Sequence, residues 1–200
     1  MQQTPLPTSR LATLTDGVFA IAMTLLSLDV VAAAGEVSSI QSLLVDIGPQ
    51  LFAYALSFTI LGLFWSGHHV AFHYILRTDR VHLWLGILFL LFVALIPFPA
   101  ALLGKWPITR LAVVVYGVFL ALAALALDLQ WTYATQGRRL VADTLPASIV
   151  RSIHQRLWVA LGSYAVGVLV ALWNPLAGVA IFVLSHVSLA LIPITPSERS

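Results

Sequence analysis

The sequence predicts an all-α membrane protein with six transmembrane helices, and three observations lead to that fold class. Apolar residues make up 60% of the 200-residue chain and charged residues only 9%, with a mean hydropathy of +0.97. A water-soluble domain carries about 25% charged residues. The apolar residues also gather in six runs of about 20 residues, the length that an α-helix needs to cross a bilayer. We therefore expect a single six-helix transmembrane domain over residues 1–200.

Charged residues, Pro and Gly separate the six predicted helices from one another. The first run is too long for the apolar region of a signal peptide, so we interpret it as a retained helix. Pro49 opens the second helix, Pro97 lies near the end of the third, and Asn174-Pro175 makes a tight turn between the fifth and sixth. The predicted helices comprise residues 11–33, 49–76, 81–103, 109–133, 153–173 and 176–194.

The distribution of Lys and Arg predicts that both termini are cytoplasmic, since basic residues concentrate in cytoplasmic loops. Eight of the ten lie at the N-terminus, in the second-to-third and fourth-to-fifth connections, and in the tail, whereas Lys105 and Arg110 lie on the opposite side. The fourth-to-fifth connection, roughly residues 134–156, is the longest and is predicted to hold a short interfacial helix. We expect a multi-pass protein of the cell (plasma) membrane.

Composition also excludes several classes of function. The chain has no cysteine, which excludes a disulfide framework, an iron–sulfur cluster and a thiolate nucleophile. The isoelectric point is about 9.3, but the net charge is only +2 and Arg138-Arg139 is the sole adjacent basic pair. Nucleic acid is therefore not an expected partner.

Polar residues inside the predicted spans form the first candidate site. A charge within a span costs about 2.5 to 3.5 kcal/mol on insertion scales, so Asp16 requires partners. Arg10 lies only about 9 Å away along the first helix, and the predicted topology brings the second and third helices to the same depth. The predicted polar cluster comprises Arg10, Thr15, Asp16, Trp65, His68, His69, His73 and His82.

Three interpretations of this cluster compete: a metal or haem site, a proton relay, and a hydrogen-bonded network that fixes the first helix to the second and third. His68 and His69 point about 100° apart on a helix and cannot face one metal ion. His69 and His73 have the i, i+4 spacing of a ligand pair but lack an evident third ligand. We favour the structural network, without a metal, and interpret His186 as a packing residue.

A second candidate site is an aliphatic stripe on the first helix. Ile21, Leu25 and Leu28 recur with helical spacing, and Thr24 lies beside them. Ile21 is about 140° from Asp16 around the helix axis. If Asp16 faces its own subunit, the stripe therefore faces lipid or a symmetry-related copy. Taken alone, an aliphatic stripe indicates packing more often than a pore.

Three segments carry a family resemblance. Residues 10–16, RLATLTD, resemble the RxxxFSD signature that opens the first helix of the transmembrane protein 175 family, which comprises endolysosomal potassium channels and their bacterial relatives. Residues 65–72, WSGHHVAF, and 95–103, LIPFPAALL, are similar to the second- and third-helix patterns of that family. The Phe and Ser of the signature are Leu and Thr here, and Gly86 stands where the pattern has a polar Asn.

The resemblance implies a potassium channel and not an enzyme, with no cofactor and with K⁺ as the permeant ion. It also implies a homotetramer in the lipid bilayer, in which four copies of the first helix line a central pore. Counted from the signature, the constriction falls on Ile21, with Leu25 and Leu28 above it and a hydroxyl from Thr24. An apolar ring favours K⁺ over Na⁺ only weakly, through the lower dehydration cost of the larger ion.

The alternative is a proton- or ion-coupled secondary transporter, because a buried Asp/His/Arg cluster is also typical of a proton relay. Such transporters commonly have inverted repeats and helices broken in mid-span. Neither feature is visible in the sequence, which favours the channel.

Overall fold

The chain folds as a bundle of α-helices, and the computed structural model describes residues 8–35 and 43–191 of it. A 3-10 turn comprises Gln136–Arg138, and an isolated β-bridge joins Ile75 to Val141 between two connections. The α-helices of the described residues are α1 (Thr8–Gly35), α2 (Leu43–Asp46), α3 (Gly48–His73), α4 (Arg80–Leu95), α5 (Pro97–Lys105), α6 (Arg110–Thr135), α7 (Ala147–Ala171) and α8 (Pro175–Leu191).

Helices occupy all six apolar runs, and four segments of the described chain are long and apolar enough to cross a membrane. α8 is apolar but has only 17 residues, whereas α7 has 25 and carries Arg151 and Arg156 near its start. Residues 192–194, the end of the sixth predicted run, lie outside the described residues. The four candidate spans are Thr8–Gly35, Gly48–His73, Arg80–Lys105 and Arg110–Arg138.

The third predicted helix is interrupted where Pro97 occurs. α4 ends at Leu95 and α5 begins at Pro97. Proline has no N–H to continue the helical ladder, and its ring displaces the preceding turn. The backbone N–H of Ile96 bonds to the carbonyl of Val93 at 3.2 Å, one residue short of the α-helical pairing, and Ala100 bonds back to Ile96 at 3.1 Å. The two helices therefore continue as one interrupted candidate span.

The prediction of a separate interfacial helix between the fourth and fifth spans is wrong. Gly137 and Arg138 have positive φ angles of 61° and 53°, a left-handed conformation that ends a helix. One Arg138 guanidinium nitrogen donates to the carbonyls of Ala142 at 3.3 Å and Leu145 at 3.0 Å, which folds the connection back on itself. α7 then starts directly at residue 147.

α6 lies at the centre of the bundle. In its most apolar stretch 56% of the residues are buried, against 17% in the corresponding stretch of α1. Tyr116 of α6 is fully buried, and its hydroxyl shares a 2.9 Å hydrogen bond with the hydroxyl of Ser57 on α3. The bundle is thus built around α6, and α1 is attached at its edge.

α7 and α8 form a tight hairpin, as the sequence predicts. The Asn174 side chain accepts a hydrogen bond from the backbone N–H of Ala177 at 3.1 Å, which satisfies a donor in the first turn of α8. The Phe182 ring is fully buried between Gly117 and Gly167. A Cβ at either glycine would come within 2.4 Å or 2.3 Å of the ring, so only glycine permits this packing.

Candidate functional site

α1 packs one face against the bundle, and no other described residue of the chain covers the opposite face. Its buried residues recur every three or four positions, as expected for a helix that packs along one stripe. At the centre of this face, the Phe19 ring lies 6.0 Å from that of Phe89 on α4. The buried residues of α1 are Leu11, Thr15, Phe19, Ala22 and Leu26.

The aliphatic residues that the sequence singles out lie on the uncovered face of α1. Ile21 is 61% exposed, Leu25 42% and Leu28 59%, and Thr24 is also exposed. We call these four residues the α1 stripe. Nothing in the described part of the chain covers them, so they face lipid, another copy of the chain or a water-filled pathway.

Two hydroxyl groups lie on or beside the α1 stripe. Thr24 Oγ1 donates to the carbonyl of Ile21 at 2.8 Å, and Ser27 Oγ donates to the carbonyl of Thr24 at 2.7 Å. A hydroxyl has one proton and two acceptor lone pairs. Both oxygens therefore keep acceptor capacity, which is the property that a cation requires of a ligand.

Asp16 is held by an indole and not by a guanidinium. Trp65 Nε1 on α3 donates to Asp16 Oδ1 at 2.8 Å, and the His69 ring stacks on the Trp65 ring with 5.4 Å between centroids. Arg10 is exposed and forms no ion pair with Asp16 within the described chain. The two side chains lie about 120° apart around α1, so the expected contact between them does not form.

The histidines of α3 have separate environments. His68 is buried, and its ring stacks on Phe72 and Phe89 with centroid distances of 4.1 Å and 5.6 Å. His69 is exposed beside Trp65, and His73 is exposed at the helix end against Tyr74. The three imidazoles therefore do not converge on Asp16, and aromatic packing accounts for the position of His68.

Sequence reasoning missed two buried polar residues, Thr78 and Gln130. Thr78, His82 and Gln130 are each at most 2% exposed. Both ring nitrogens of His82 and both amide atoms of Gln130 lack a hydrogen-bond partner within the described chain. A Cβ at Gly86 would approach Gln130 Nε2 to 2.8 Å, so the glycine makes room for this amide. For Gln130 the available signal was a polar residue inside an apolar run, whereas Thr78 lies in a polar connection and gives no such signal.

Two further histidines form pairs away from α1. His186 is buried, and its Nε2 shares a hydrogen bond of 3.0 Å with the Tyr164 hydroxyl, which confirms it as a packing residue. His154 Nδ1 lies 2.9 Å from Asp128 Oδ1, and Asp128 is buried. Across the described residues, no three His, Cys, Asp or Glu side chains are grouped as metal ligands would be.

The Asp16–Trp65 contact gives a prediction about folding. We expect Trp65→Phe, which removes the donor and keeps an aromatic ring, to lower the free energy of unfolding by about 1 kcal/mol. Asp16→Asn keeps an oxygen acceptor and should retain the folded yield, whereas Asp16→Ala should lower it. Yield and detergent-induced unfolding measure these effects. A well-folded Asp16→Asn protein with normal flux and altered ion preference would instead place Asp16 in an ion pathway.

Comparisons with known proteins identify the family. A profile of the family described as "Endosomal/lysosomal potassium channel TMEM175" matches residues 10–97. A protein named "Potassium channel" from Streptomyces collinus is 35% identical over 159 residues, which cover 77% of this chain and 76% of that protein. The chain belongs to the TMEM175 family. It is therefore a membrane protein of an ion-channel family and not an enzyme, as the resemblance of residues 10–16 predicts.

The TMEM175 likeness extends beyond the profile match. A "Potassium channel" from Chamaesiphon minutus is 35% identical over 170 residues, with 80% of this chain and 81% of that protein covered. The crystal structure of a lysosomal potassium-selective channel TMEM175 homolog from the same organism has a TM-score of 0.79 and 27% identity, and covers 92% of this chain and 96% of that one. The TMEM175 fold thus includes α7 and α8.

Proposed function

We propose that this TMEM175 protein is a weakly selective potassium channel in which K⁺ permeates passively along the α1 stripe. The observation that carries the proposal is the exposed aliphatic row of Ile21, Leu25 and Leu28 on the least buried candidate span. The bacterial relatives at 35% identity are named potassium channels. Ile21 forms the narrowest ring, and no cofactor takes part.

The pathway requires several copies of the chain, because one stripe on one helix encloses nothing. Identical subunits around a rotation axis place the same face of each toward the centre, and the family resemblance implies four. The stripe is free to meet its symmetry mates, since nothing in the described chain covers it. We therefore assign a homotetramer with α1 around the axis.

Weak selectivity follows from the chemistry of the stripe. Its three aliphatic side chains offer no oxygen ligand, so an ion that passes them is stabilised mainly by the water it retains. K⁺ gives up water more readily than Na⁺, which favours it modestly. The hydroxyl oxygen of Thr24, whose proton is bonded to the carbonyl of Ile21, offers a single partial replacement for lost water.

Liposome flux measurements test the channel proposal. We expect K⁺ efflux that rises linearly with the gradient and persists without a proton gradient. Liposomes loaded with Na⁺ in place of K⁺ should show a lower rate of cation efflux. Flux that saturates with K⁺ concentration, or that requires a proton gradient, would instead establish the secondary transporter. Native mass spectrometry of the purified protein measures the subunit number, and a stable complex other than a tetramer contradicts the assembly.

The proposed topology has six spans in the plasma membrane, with α7 and α8 crossing as a hairpin and both termini cytoplasmic. The cysteine-free chain permits a labelling test at two exposed loop positions. Ile108→Cys, between α5 and α6, should react with an impermeant maleimide added to intact cells. Thr144→Cys, between α6 and α7, should react only after permeabilisation. The reverse pattern would show that the protein has the opposite orientation. Labelling of both positions from outside would show that the segment between them does not cross the membrane.

A further inference from the structure

A cationic cavity lies between the end of α6 and the start of α7, and no residue of α1 lines it. Its volume is about 430 Å³, and none of its seven lining residues is acidic. It is open to the surface. With α6 and α7 crossing the membrane as in the proposed topology, its position at their ends places it at the level of the lipid headgroups. The lining residues are Thr135, Arg138, Val141, Ala147, Val150, Arg151 and His154.

We propose that this cavity binds the phosphate of an anionic phospholipid, with Arg151, Arg138 and His154 as its partners. Basic pockets between transmembrane helices at the membrane surface bind anionic lipid headgroups. An arginine guanidinium presents planar, paired donors that match phosphate oxygens. The site is separate from the α1 stripe and does not depend on the proposed conduction mechanism.

The three basic side chains differ in how much of their donor capacity the protein uses. Arg151 has no hydrogen-bond or ion-pair partner within the described chain and is exposed. One guanidinium nitrogen of Arg138 donates to carbonyls of the connecting loop, which holds the side chain at the cavity wall. The other guanidinium nitrogens are left to donate to a ligand. His154 is oriented by Asp128, whose Oδ1 lies 2.9 Å from Nδ1, so the other ring nitrogen, Nε2, is left for a ligand.

A lipid fits better than a free phosphate because an apolar lane leads from the cavity along α7. Four residues of α7 follow His154 at helical spacing toward the bilayer centre, and all four are exposed. A Cβ at Gly162 would meet nothing within 4 Å, so the helix surface is open at this position. Trp158 (61% exposed) and Leu169 (56%) lie at the two ends of the lane. The lane comprises Trp158, Gly162, Ala165 and Leu169.

The dimensions agree with this occupant. From His154 to Ala165 the helix rises about 16 Å, which matches the roughly 15 Å of one hydrocarbon leaflet. Trp158 lies one turn below His154, at the interfacial depth that tryptophan prefers in membrane proteins. A phosphate at the cavity would therefore place its acyl chains along the lane.

Quenching of Trp158 by brominated lipid tests the site on the full-length protein in neutral detergent. Brominated phosphatidylglycerol and brominated phosphatidylcholine are titrated in turn, and a Trp158→Phe protein defines the background from the other tryptophans. We expect half-saturation by phosphatidylglycerol to need about fivefold more lipid in Arg151→Gln, as expected for the loss of one interfacial charge. Arg80→Gln, which removes an exposed arginine of α4, is the matched control and should leave half-saturation unchanged.

Gly162→Leu tests the lane separately from the charges. It should weaken quenching by brominated phosphatidylglycerol while inorganic phosphate remains a poor competitor. Equal losses of phosphatidylglycerol affinity in Arg151→Gln and Arg80→Gln would show that the lipid responds to general surface charge and not to this site. Equal binding of phosphatidylcholine would refute recognition of an anionic headgroup. Displacement of the lipid by inorganic phosphate at similar concentrations would assign the cavity to a soluble phosphate.

Discussion

Ile21→Asn should raise K⁺ flux and lower the preference for K⁺ over Na⁺. In the proposed tetramer the substitution places four amide oxygens at the narrowest ring, where the parent offers only aliphatic carbon. Apolar constrictions hold water poorly, and polar groups remove that barrier. A barrier lowered by about 1.4 kcal/mol corresponds to a tenfold increase in rate, and we expect a change of about that size. The measurement is the K⁺-to-Na⁺ flux ratio and the K⁺ rate at matched protein density.

Other substitutions separate the pathway from general effects of a polar group. Leu28→Ala should change flux less, since Ile21 remains the narrowest ring, and Thr24→Ala should alter selectivity only modestly. Leu91→Asn adds the same amide on an exposed position of α4 and should leave flux unchanged. If Ile21→Asn and Leu91→Asn both behave like the parent, α1 does not line the pathway and the proposed constriction is wrong.

Gly178→Ala should destabilise the subunit even though it adds only one methyl group. A Cβ at this position would lie 2.7 Å from the Cβ of Ala171 and 2.9 Å from the backbone carbonyl oxygen of Gly167. Small residues let membrane helices approach closely, and a backbone atom cannot rotate away from a clash. We expect the α7–α8 hairpin to open slightly, with a loss of about 1 to 3 kcal/mol in the free energy of unfolding.

Gly162→Ala is the matched control, because it makes the same change in the same hairpin at a position with open space. Alanine has a higher helix propensity than glycine, by about 1 kcal/mol, so this variant should be neutral or slightly more stable. Unfolding in mixed micelles with increasing dodecyl sulfate compares the two proteins. Equal stability of Gly178→Ala and the parent would contradict the close approach of α7 and α8.

The helices were predictable because hydrophobicity, Pro and Gly determine where membrane helices begin and end. The interruption at Pro97 and the turn at Asn174 follow from local chemistry. The connection after α6 was mispredicted because its course depends on the left-handed Arg138 and on the bonds of its side chain to loop carbonyls. A non-glycine residue in that conformation has no sequence signature, and tertiary contacts decide it.

The sequence was sufficient to predict which face of α1 each candidate residue lies on, but not which residues of other helices it contacts. Helical spacing alone separates Ile21 from Asp16 around α1, and the structure places Ile21 on the uncovered side. The separation of about 120° between Arg10 and Asp16 also follows from helical spacing. That Asp16 bonds to Trp65 depends on the packing of α3 against α1, which spacing within one helix does not specify. Gln130 was missed for the same reason, since the space it occupies is created by Gly86 on another helix.

The peripheral attachment of α1 to a bundle centred on α6 has an evolutionary consequence. The side chains of the α1 stripe contribute little to the folding of an isolated subunit, because they touch almost nothing within it. Selection for a folded protein therefore constrains them weakly. In the proposed channel, selection for conductance can then change them one at a time, and a lineage can retune its ion permeability by single substitutions without first acquiring compensating changes in the core.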